Sequence, residues 1–178
     1  MRMKAGENEL ALAAAGGDAV AFAELLERSY DGLFRLCFRL MGAQAEAEDL
    51  CQDICAGLPA KLRRYDGRAA FSTWLYRVAV NAAHDRRRRA ATHARAATGW
   101  GDWEAARVQT NAEQAEAVNW LTRAMGCLPD DLKDTVALVM DDMTHAQVAE
   151  ILDISEGTVS WRMSEVKKRL RVLKEAEQ

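Results

Sequence analysis

Apolar side chains recur every three or four residues along most of this chain, which is the spacing that places them on one face of an α-helix. The pattern is clearest from Ala19 to Met41, which reads as one long helix or as two helices that join near Asp31 and Gly32. Alternating runs rich in Val, Ile and Thr, which are typical of half-buried strands, are absent from the sequence. The spacing therefore predicts an all-α protein.

The predicted helices fall into two groups. In the first group, helices are also predicted from about Ala45 to Leu62 and from Ser72, which can serve as the N-cap, to about Arg89. Small and polar residues then replace the helical periodicity over residues 92–112. Four more helical segments follow. We therefore predict two small helical domains, residues 1–91 and 113–178, joined by a linker.

Two tryptophans, Trp100 and Trp103, lie inside this predicted linker. Large aromatic side chains in such a segment can dock on a neighbouring surface, or they can anchor a short helix on the adjacent domain. The sequence leaves both alternatives open.

Charge is unevenly distributed, although the formal net charge is only -3. Residues 61–95 contain ten basic and two acidic residues, a net charge of +8, whereas residues 96–156 contain three basic and twelve acidic residues, a net charge of -9. Residues 157–178 are basic again. Such asymmetry is typical of two phosphate-contacting surfaces, although solvated helix faces produce it too. The acidic segment could also cover the basic surfaces in the free protein.

The four cysteines bear on the compartment and on metal binding. The sequence shows no secretory signal and no apolar run long enough to span a membrane, so we expect a cytoplasmic protein with reduced thiols. Cys51 and Cys55 share a helix face, where a metal or redox pair is an alternative to two small buried side chains. Because no further metal ligands accompany them, we predict no metal and no cofactor.

A helix-turn-helix is predicted from Thr144 onward. Thr144 and Gln147 have the spacing of a capping box, and Ser155 can cap the last helix after a three-residue turn. The last helix carries an apolar stripe at intervals of three and four residues: Val159, Met163, Val166, Leu170 and Leu173. The second helix of such a motif enters the major groove of DNA.

The opposite face of this last helix is the predicted base-reading surface. Arg162 can bind the paired acceptors of a guanine, and Thr158 and Ser160 offer hydroxyl groups to base edges or phosphates. Packing alone does not explain an exposed tryptophan beside Arg162. The complete predicted surface, including cations that suit phosphates, is Thr158, Ser160, Trp161, Arg162, Glu165, Lys168 and Arg169.

Aromatic and basic side chains interleave around the start of the third helix. Rings can stack on unpaired bases, and guanidinium groups can bind phosphates. The loop Tyr65–Ala70 could hold a flipped base, whereas Trp74 can equally be a core residue. The candidate residues for binding opened DNA are Tyr65, Arg68, Phe71, Ser72, Trp74, Arg77, Asn81, Arg86 and Arg87.

Two blocks of sequence resemble a known family. The strings AEDLCQD at 47–53, YDGR at 65–68 and FSTWLYRVA at 71–79 resemble region 2 of the extracytoplasmic-function (ECF) sigma factors of bacterial RNA polymerase. The strings QVAEIL at 147–152 and SEGTV at 155–159 resemble region 4 of the same family. The two blocks occur in the family's order.

This resemblance implies a sigma region 2 helical bundle and a sigma region 4 helix-turn-helix domain. Asp49, Gln52 and Asp53 would dock on the clamp helices of the largest polymerase subunit, and the polymerase flap is a further expected contact. The third helix and the loop before it would recognise and help to melt the minus-10 element, and the last helix would read the minus-35 element. The family has no catalytic residues. The expected partners are core RNA polymerase, promoter DNA and an anti-sigma factor.

Several positions depart from the family pattern. The family often has basic residues where Ser160 and Glu165 stand, and a small residue where Trp161 stands. These differences predict an unusual minus-35 affinity or sequence preference. A glycine common in the turn is replaced by Asp153, which tolerates left-handed backbone geometry better than most residues.

Three other classes of protein share part of this pattern. A sigma-like adaptor or decoy, which binds an anti-sigma regulator without initiating transcription, should lack the basic third helix. A simple repressor would leave the first domain unexplained. An enzyme is disfavoured because His84, His93 and His145 have no metal-ligand spacing and no phosphate loop or nucleophile elbow occurs. The sequence favours the sigma factor.

Overall fold

A computed structural model describes residues 6–96 and 114–176 of the chain, with side chains placed for residues 6–92 and 120–176. All regular structure within these ranges is helical, which confirms the predicted all-α class. The predicted linker tryptophans Trp100 and Trp103 lie outside the described residues. The helices are α1 (Glu7–Ala15), α2 (Ala19–Met41), α3 (Gln44–Leu62), α4 (Phe71–Ala96), α5 (Gln114–Gly126), α6 (Asp130–Val139), α7 (His145–Leu152) and α8 (Glu156–Ala176).

The first domain packs α1 to α4 around one apolar core. The most extensive helix–helix contact in this domain is between α2 and α3. Helix α2 is one continuous helix rather than two. The carboxylate of Asp18 caps α2 by accepting the N–H groups of Val20 and Ala21, and Gly42 ends it with a φ of +78°. The fully buried side chains include Leu25, Leu33, Leu36, Leu40, Ile54, Leu58, Leu62, Phe71 and Leu75.

Helix α1 was not predicted from the sequence, and it determines how α4 begins. The side chain of Asn8 accepts a hydrogen bond from the backbone N–H of Phe71 at 2.8 Å. The capping role predicted for Ser72 is therefore filled by a residue 63 positions earlier in the chain. A local sequence pattern could not reveal this contact.

Helix α3 continues through Pro59 and ends at Leu62, as predicted. Helix α4 continues to Ala96, which is beyond the predicted start of the linker at residue 92. The basic run Arg86–Arg89 is therefore carried on a continuous helix.

The second domain packs α6 and α7 against α8, and its local geometry agrees with the predicted helix-turn-helix. Thr144 and Gln147 form the predicted capping box at the start of α7. Asp153 ends α7 in the left-handed region, with a φ of +55°. Ser155 then accepts the N–H of Thr158 and so caps α8. Side chains from all three helices share a core that includes Leu132, Leu138, Val148, Ile151, Val159 and Val166.

The two domains are in direct contact. Helix α2 packs on α6, and α4 packs on α7. This arrangement brings the basic helix α4 of the first domain against the acidic helices of the second.

The origin of the α4 cap is testable by two substitutions. Asn8→Ala should lower the free energy of unfolding by about 0.5–2 kcal/mol, because it leaves the buried end of α4 without its acceptor. Ser72→Ala should change it by less than about 0.5 kcal/mol, because no capping bond is lost. Chemical denaturation of the two variants measures both values, and a larger loss for Ser72→Ala would contradict the assigned cap.

Candidate nucleic-acid interface

One exposed face of α3 carries the acidic residues expected to meet the polymerase. Asp49, Gln52 and Asp53 are all exposed and lie within about one helical turn. Arg86 of α4 bridges the two carboxylates, at 3.0 Å from Asp49 Oδ2 and 3.3 Å from Asp53 Oδ2. Arg86 therefore contributes to this acidic face, whereas the sequence had assigned it to DNA.

The aromatic residues before α4 form an internal cluster. Tyr65 is 6% exposed and Phe71 is 1% exposed, and their ring centroids lie 6.0 Å apart. The Tyr65 hydroxyl donates to the carbonyl of Ala69, and Trp74 contacts both rings. Tyr65 and Phe71 therefore belong to the core that holds the loop in place, and their contact with DNA stays a prediction.

The loop itself presents Arg68 to solvent. Its side chain is 90% exposed, and its Nε lies 3.1 Å from Asp66 Oδ2. Gly67 adopts a φ of +74° and lies against Leu12 of α1, where a Cβ would approach that side chain to 3.3 Å. Helix α1 thus supports the turn. Of the two loop residues predicted to contact DNA, Tyr65 is buried and Arg68 lies on the surface.

A depression beside Trp74 could accept an unstacked base. It has a volume of about 400 Å³ and is lined by Ala60, Lys61, Arg64, Trp74 and Val78. One face of an aromatic ring beside two cations is the combination that single-stranded nucleic acids favour. Lys61 was not among the predicted DNA contacts. Its position in the last turn of α3 brings it to this depression.

Three side chains of α4, those of Arg77, His84 and Arg87, contact the second domain. Arg87 donates to both oxygens of Asp134, at 2.8 and 3.1 Å, and lies 3.2 Å from Asp130. The Nε2 of His84 is also within hydrogen-bond distance of Asp134, whose side chain is only 3% exposed. Arg77 donates to the backbone carbonyl of Glu150.

One polar group in this interdomain contact lacks a hydrogen-bond partner among the described residues. Nε of Arg87 is buried and has no hydrogen-bond partner among the described residues. A buried unpaired N–H is costly, because it has lost its bonds to water. Of the predicted α4 residues, Asn81 stays exposed, while Arg77 and Arg87 are occupied by acidic helices of the second domain.

A second interdomain contact surrounds Asp141. Arg39 Nη1 donates to its Oδ1 at 2.8 Å, Arg35 lies 3.8 Å away, and the Tyr76 hydroxyl donates to Oδ2. Burial, together with the neighbouring Asp141 carboxylate, raises the pKa of Tyr76, so the hydroxyl stays protonated and keeps donating. The predicted covering of the basic segment 61–95 by acidic residues is thus seen at Arg87, whereas the Asp141 contact holds arginines of α2 that lie outside that segment.

The outward face of α8 differs from the predicted one. Ser160, Trp161 and Lys168 are exposed, and Trp161 is 63% exposed. Ser160 is 3.1 Å from Nδ1 of His145, and Thr158 is half-buried with its hydroxyl on Ser155. On the flank of the helix, Arg169 Nε donates to Glu165 at 2.9 Å.

Arg162 points away from this outward face. Its side chain is 18% exposed, and its Nε lies 3.5 Å from a carboxylate oxygen of Asp131. Its Nη1 is 3.4 Å from both the Asp131 carbonyl and the Thr135 hydroxyl. Arg162 therefore links α8 to α6, and in this arrangement its side chain is not free to bind a guanine.

The cysteine cluster is internal. The Cys51 thiol is hydrogen-bonded to the thiols of Cys37 and Cys55, and burial raises its pKa to about 11. Among the described side chains, no three potential ligands are grouped to hold a metal ion. None of the described helices combines the length and apolar character needed to span a bilayer.

Comparisons with known proteins agree with the two-domain organisation. The family model described as Sigma-70 region 2 matches residues 25–93, and the model described as Sigma-70, region 4 matches residues 119–170. The chain is similar to the ECF RNA polymerase sigma factor SigM of Mycobacterium tuberculosis strain H37Rv, at 34% identity over 95% of this chain and 85% of that protein. It is also similar to SigW of Bacillus subtilis, at 28% identity over 87% of this chain and 89% of SigW.

Two solved structures share the fold. One is CnrH in complex with the cytosolic domain of CnrY, with a TM-score of 0.72 and 22% identity, covering 97% of this chain and 99% of that one. The other is the sigma factor RpoE of Bartonella quintana in complex with the anti-sigma factor NepR, with a TM-score of 0.73 and 20% identity, covering 88% and 98%. With both sigma regions present in order, and with a relative 34% identical over most of its length, this chain belongs to the extracytoplasmic-function sigma factors of RNA polymerase.

Proposed function

We propose that this protein acts in the cytoplasm, where it recruits core RNA polymerase to promoters and alternates between a closed free form and an open polymerase-bound form. In the bound form, the acidic face of α3 docks on the polymerase clamp helices. The loop at Arg68, the Trp74 depression and the arginines of α4 take the opened minus-10 element, and α8 reads the minus-35 element.

The observation that carries the closed form is the pairing of Arg87 with Asp134. A guanidinium that binds a buried carboxylate at 2.8 and 3.1 Å cannot bind a DNA phosphate at the same time. Arg77 is only partly covered, because it donates to the carbonyl of Glu150 while its side chain stays 43% exposed. Promoter binding through Arg87 therefore requires the second domain to move away.

Polymerase binding can drive that opening. If the two domains dock on separate polymerase surfaces, the interdomain contacts are exchanged for contacts with the polymerase and with DNA. The buried, unpaired Nε of Arg87 lowers the net stability of the closed form, so the exchange does not need to overcome a fully satisfied interface.

An anti-sigma factor would act on the same equilibrium. Of the two similar structures, one is a complex of CnrH with CnrY and the other is a complex of RpoE with NepR, which is an anti-sigma factor. A partner that binds across both domains of this protein would stabilise the closed form and keep α4 covered. This would inhibit transcription without blocking the α8 surface directly.

The function is tested by reconstitution with core RNA polymerase. The protein should co-purify with core enzyme, and the complex should start transcription at sequences selected from a random promoter library. A decoy would bind an anti-sigma factor but fail in run-off transcription. A repressor would bind duplex DNA tightly without the polymerase, and either result would contradict the proposal.

The closed form makes a prediction for the free protein. Wild-type protein should bind promoter duplexes weakly, and the double variant Asp134→Asn with Asp141→Asn should bind them several-fold more tightly. The reason is that Arg87 and Arg39 lose their charged partners when the two carboxylates are neutralised. Small-angle X-ray scattering should show a larger radius of gyration, and fluorescence anisotropy measures the DNA affinity.

The matched control for this experiment is Asp142→Asn. Asp142 is exposed, neighbours Asp141 and has a φ of +58°, which asparagine also tolerates. The control should leave both the radius and the affinity unchanged. Nanomolar DNA binding by the free wild-type protein, or an unchanged radius in the double variant, would contradict the closed form.

A second prediction concerns the polymerase-docking face. Asp53→Arg should weaken binding to core polymerase by about tenfold or more, because it reverses a charge in the docking surface and repels Arg86. The stability of the protein should change by less than about 0.5 kcal/mol. Glu27→Arg is the control, since it makes the same charge change at an exposed residue of α2. Equal affinities of the two folded variants for core polymerase would contradict the assignment of this face as the docking surface.

A third prediction concerns promoter melting. Arg68→Ala should leave polymerase binding unchanged but slow the formation of the open complex, because an exposed cation that stabilises the flipped strand is lost. A promoter with a pre-melted minus-10 element should restore part of the rate, since the unpairing cost is already met. Permanganate reactivity of unpaired thymines measures opening, and a normal rate on duplex promoters would refute the role of the loop.

A further inference from the structure

The recognition helix presents a large apolar side chain where DNA would lie. Trp161 is 63% exposed, and it occupies the second turn of α8, within the N-terminal part that reaches base edges in a helix-turn-helix. An exposed indole keeps apolar surface in water, and burying that surface against a partner would be favourable. The side chain is therefore available for a contact made on DNA.

The neighbours of Trp161 on this face are small or basic, apart from Glu165, whose half-buried carboxylate accepts a hydrogen bond from Arg169. Ser160 and Ser164 are exposed beside it, and Lys168 lies two turns further along the same face, about 10 Å away by helical rise. The serines leave room for the helix to approach base edges, and Lys168 is placed to bind a phosphate at the groove wall. The pattern of one apolar ring between hydroxyls and a cation fits a DNA groove better than an apolar protein partner.

The neighbouring cation does not compete for the bases. Arg162 is held by Asp131 and Thr135 of α6, and its side chain is only 18% exposed. This contact fixes the rotation of α8 relative to α6. Trp161 is consequently the largest side chain that α8 presents outward in its first two turns.

We propose that Trp161 selects a thymine in the minus-35 element by packing its indole against the C5-methyl group, while Arg162 is a positioning residue. The inference rests on the proposed function, because it assigns the base preference of the same α8 surface. Thymine is the only base with a methyl group in the major groove. The indole has one N–H donor and no acceptor, so it cannot satisfy the amino group that cytosine presents at the same edge.

The experiment removes the methyl group from the DNA. A minus-35 sequence is first selected from a random library by transcription with the wild-type holoenzyme, and each thymine is then replaced singly by deoxyuridine. At one position, the wild-type holoenzyme should lose about threefold to fivefold in promoter affinity, the effect of one buried methyl group. Trp161→Ala should bind thymine and uracil equally at that position, and a library selected with it should lose preference there alone.

Two further variants separate this role from a loss of structure. Trp161→Phe keeps an apolar ring and should retain most of the methyl dependence. Arg162→Ala should also retain it, although the domain should unfold at lower denaturant concentration. Circular dichroism should show that Trp161→Ala keeps its helical content, since the side chain is exposed.

The possible failures are distinguishable. A holoenzyme that initiates at none of the library sequences would overturn the proposed function, and this inference with it. A holoenzyme that initiates normally would overturn this inference alone in three cases: if its selected element lacks thymine, if uracil costs nothing, or if Trp161→Ala keeps the wild-type response to uracil. A loss of the response in Arg162→Ala but not in Trp161→Ala would assign the base contact to Arg162.

Discussion

The arrangement of the two domains depends on a buried carboxylate shared between them. Asp134 lies on α6 of the second domain, yet its partners Arg87 and His84 lie on α4 of the first. A charge withdrawn from water must be matched by partners of opposite charge, so this carboxylate ties the position of α6 to the face of α4. The same ion pair therefore joins the two domains and covers this face of the basic helix.

This coupling explains how an acidic protein can serve a polyanionic target. The second domain covers Arg87 and part of Arg77 on α4, and it leaves the acidic face of α3 and the outward face of α8 exposed. Under the proposed function, polymerase docks before DNA does. Affinity for DNA then appears when the domains separate, which limits unproductive binding to non-promoter sequences.

Features determined by neighbouring residues in the sequence were predictable. The Thr144 capping box, the Ser155 cap and the left-handed Asp153 follow from contacts within four residues. The burial of Tyr65 and Phe71 was missed because it depends on α1 and on a ring cluster formed in three dimensions. The inward turn of Arg162 had a visible signal, since it flanks the apolar stripe between Val159 and Val166.

Charge pairing between the domains was predictable in kind but not in detail. The opposite net charges of residues 61–95 and 96–156 indicate attraction, yet only the fold shows that Asp134 meets Arg87 and that Asp141 meets Arg39. Arg86 illustrates the limit most clearly. It stands next to Arg87 in the same basic run, but the helix turns it toward Asp49 and Asp53 and not toward Asp134.

The most direct measurement is the distance between the domains in the free and polymerase-bound protein. Fluorophores can be attached through unnatural amino acids at Val20 of α2 and Ala146 of α7, which are both exposed. Energy transfer should be high in the free protein and should fall when core polymerase is added, in proportion to holoenzyme formed. Low transfer in the free protein, or unchanged transfer in a transcriptionally active holoenzyme, would contradict the closed form.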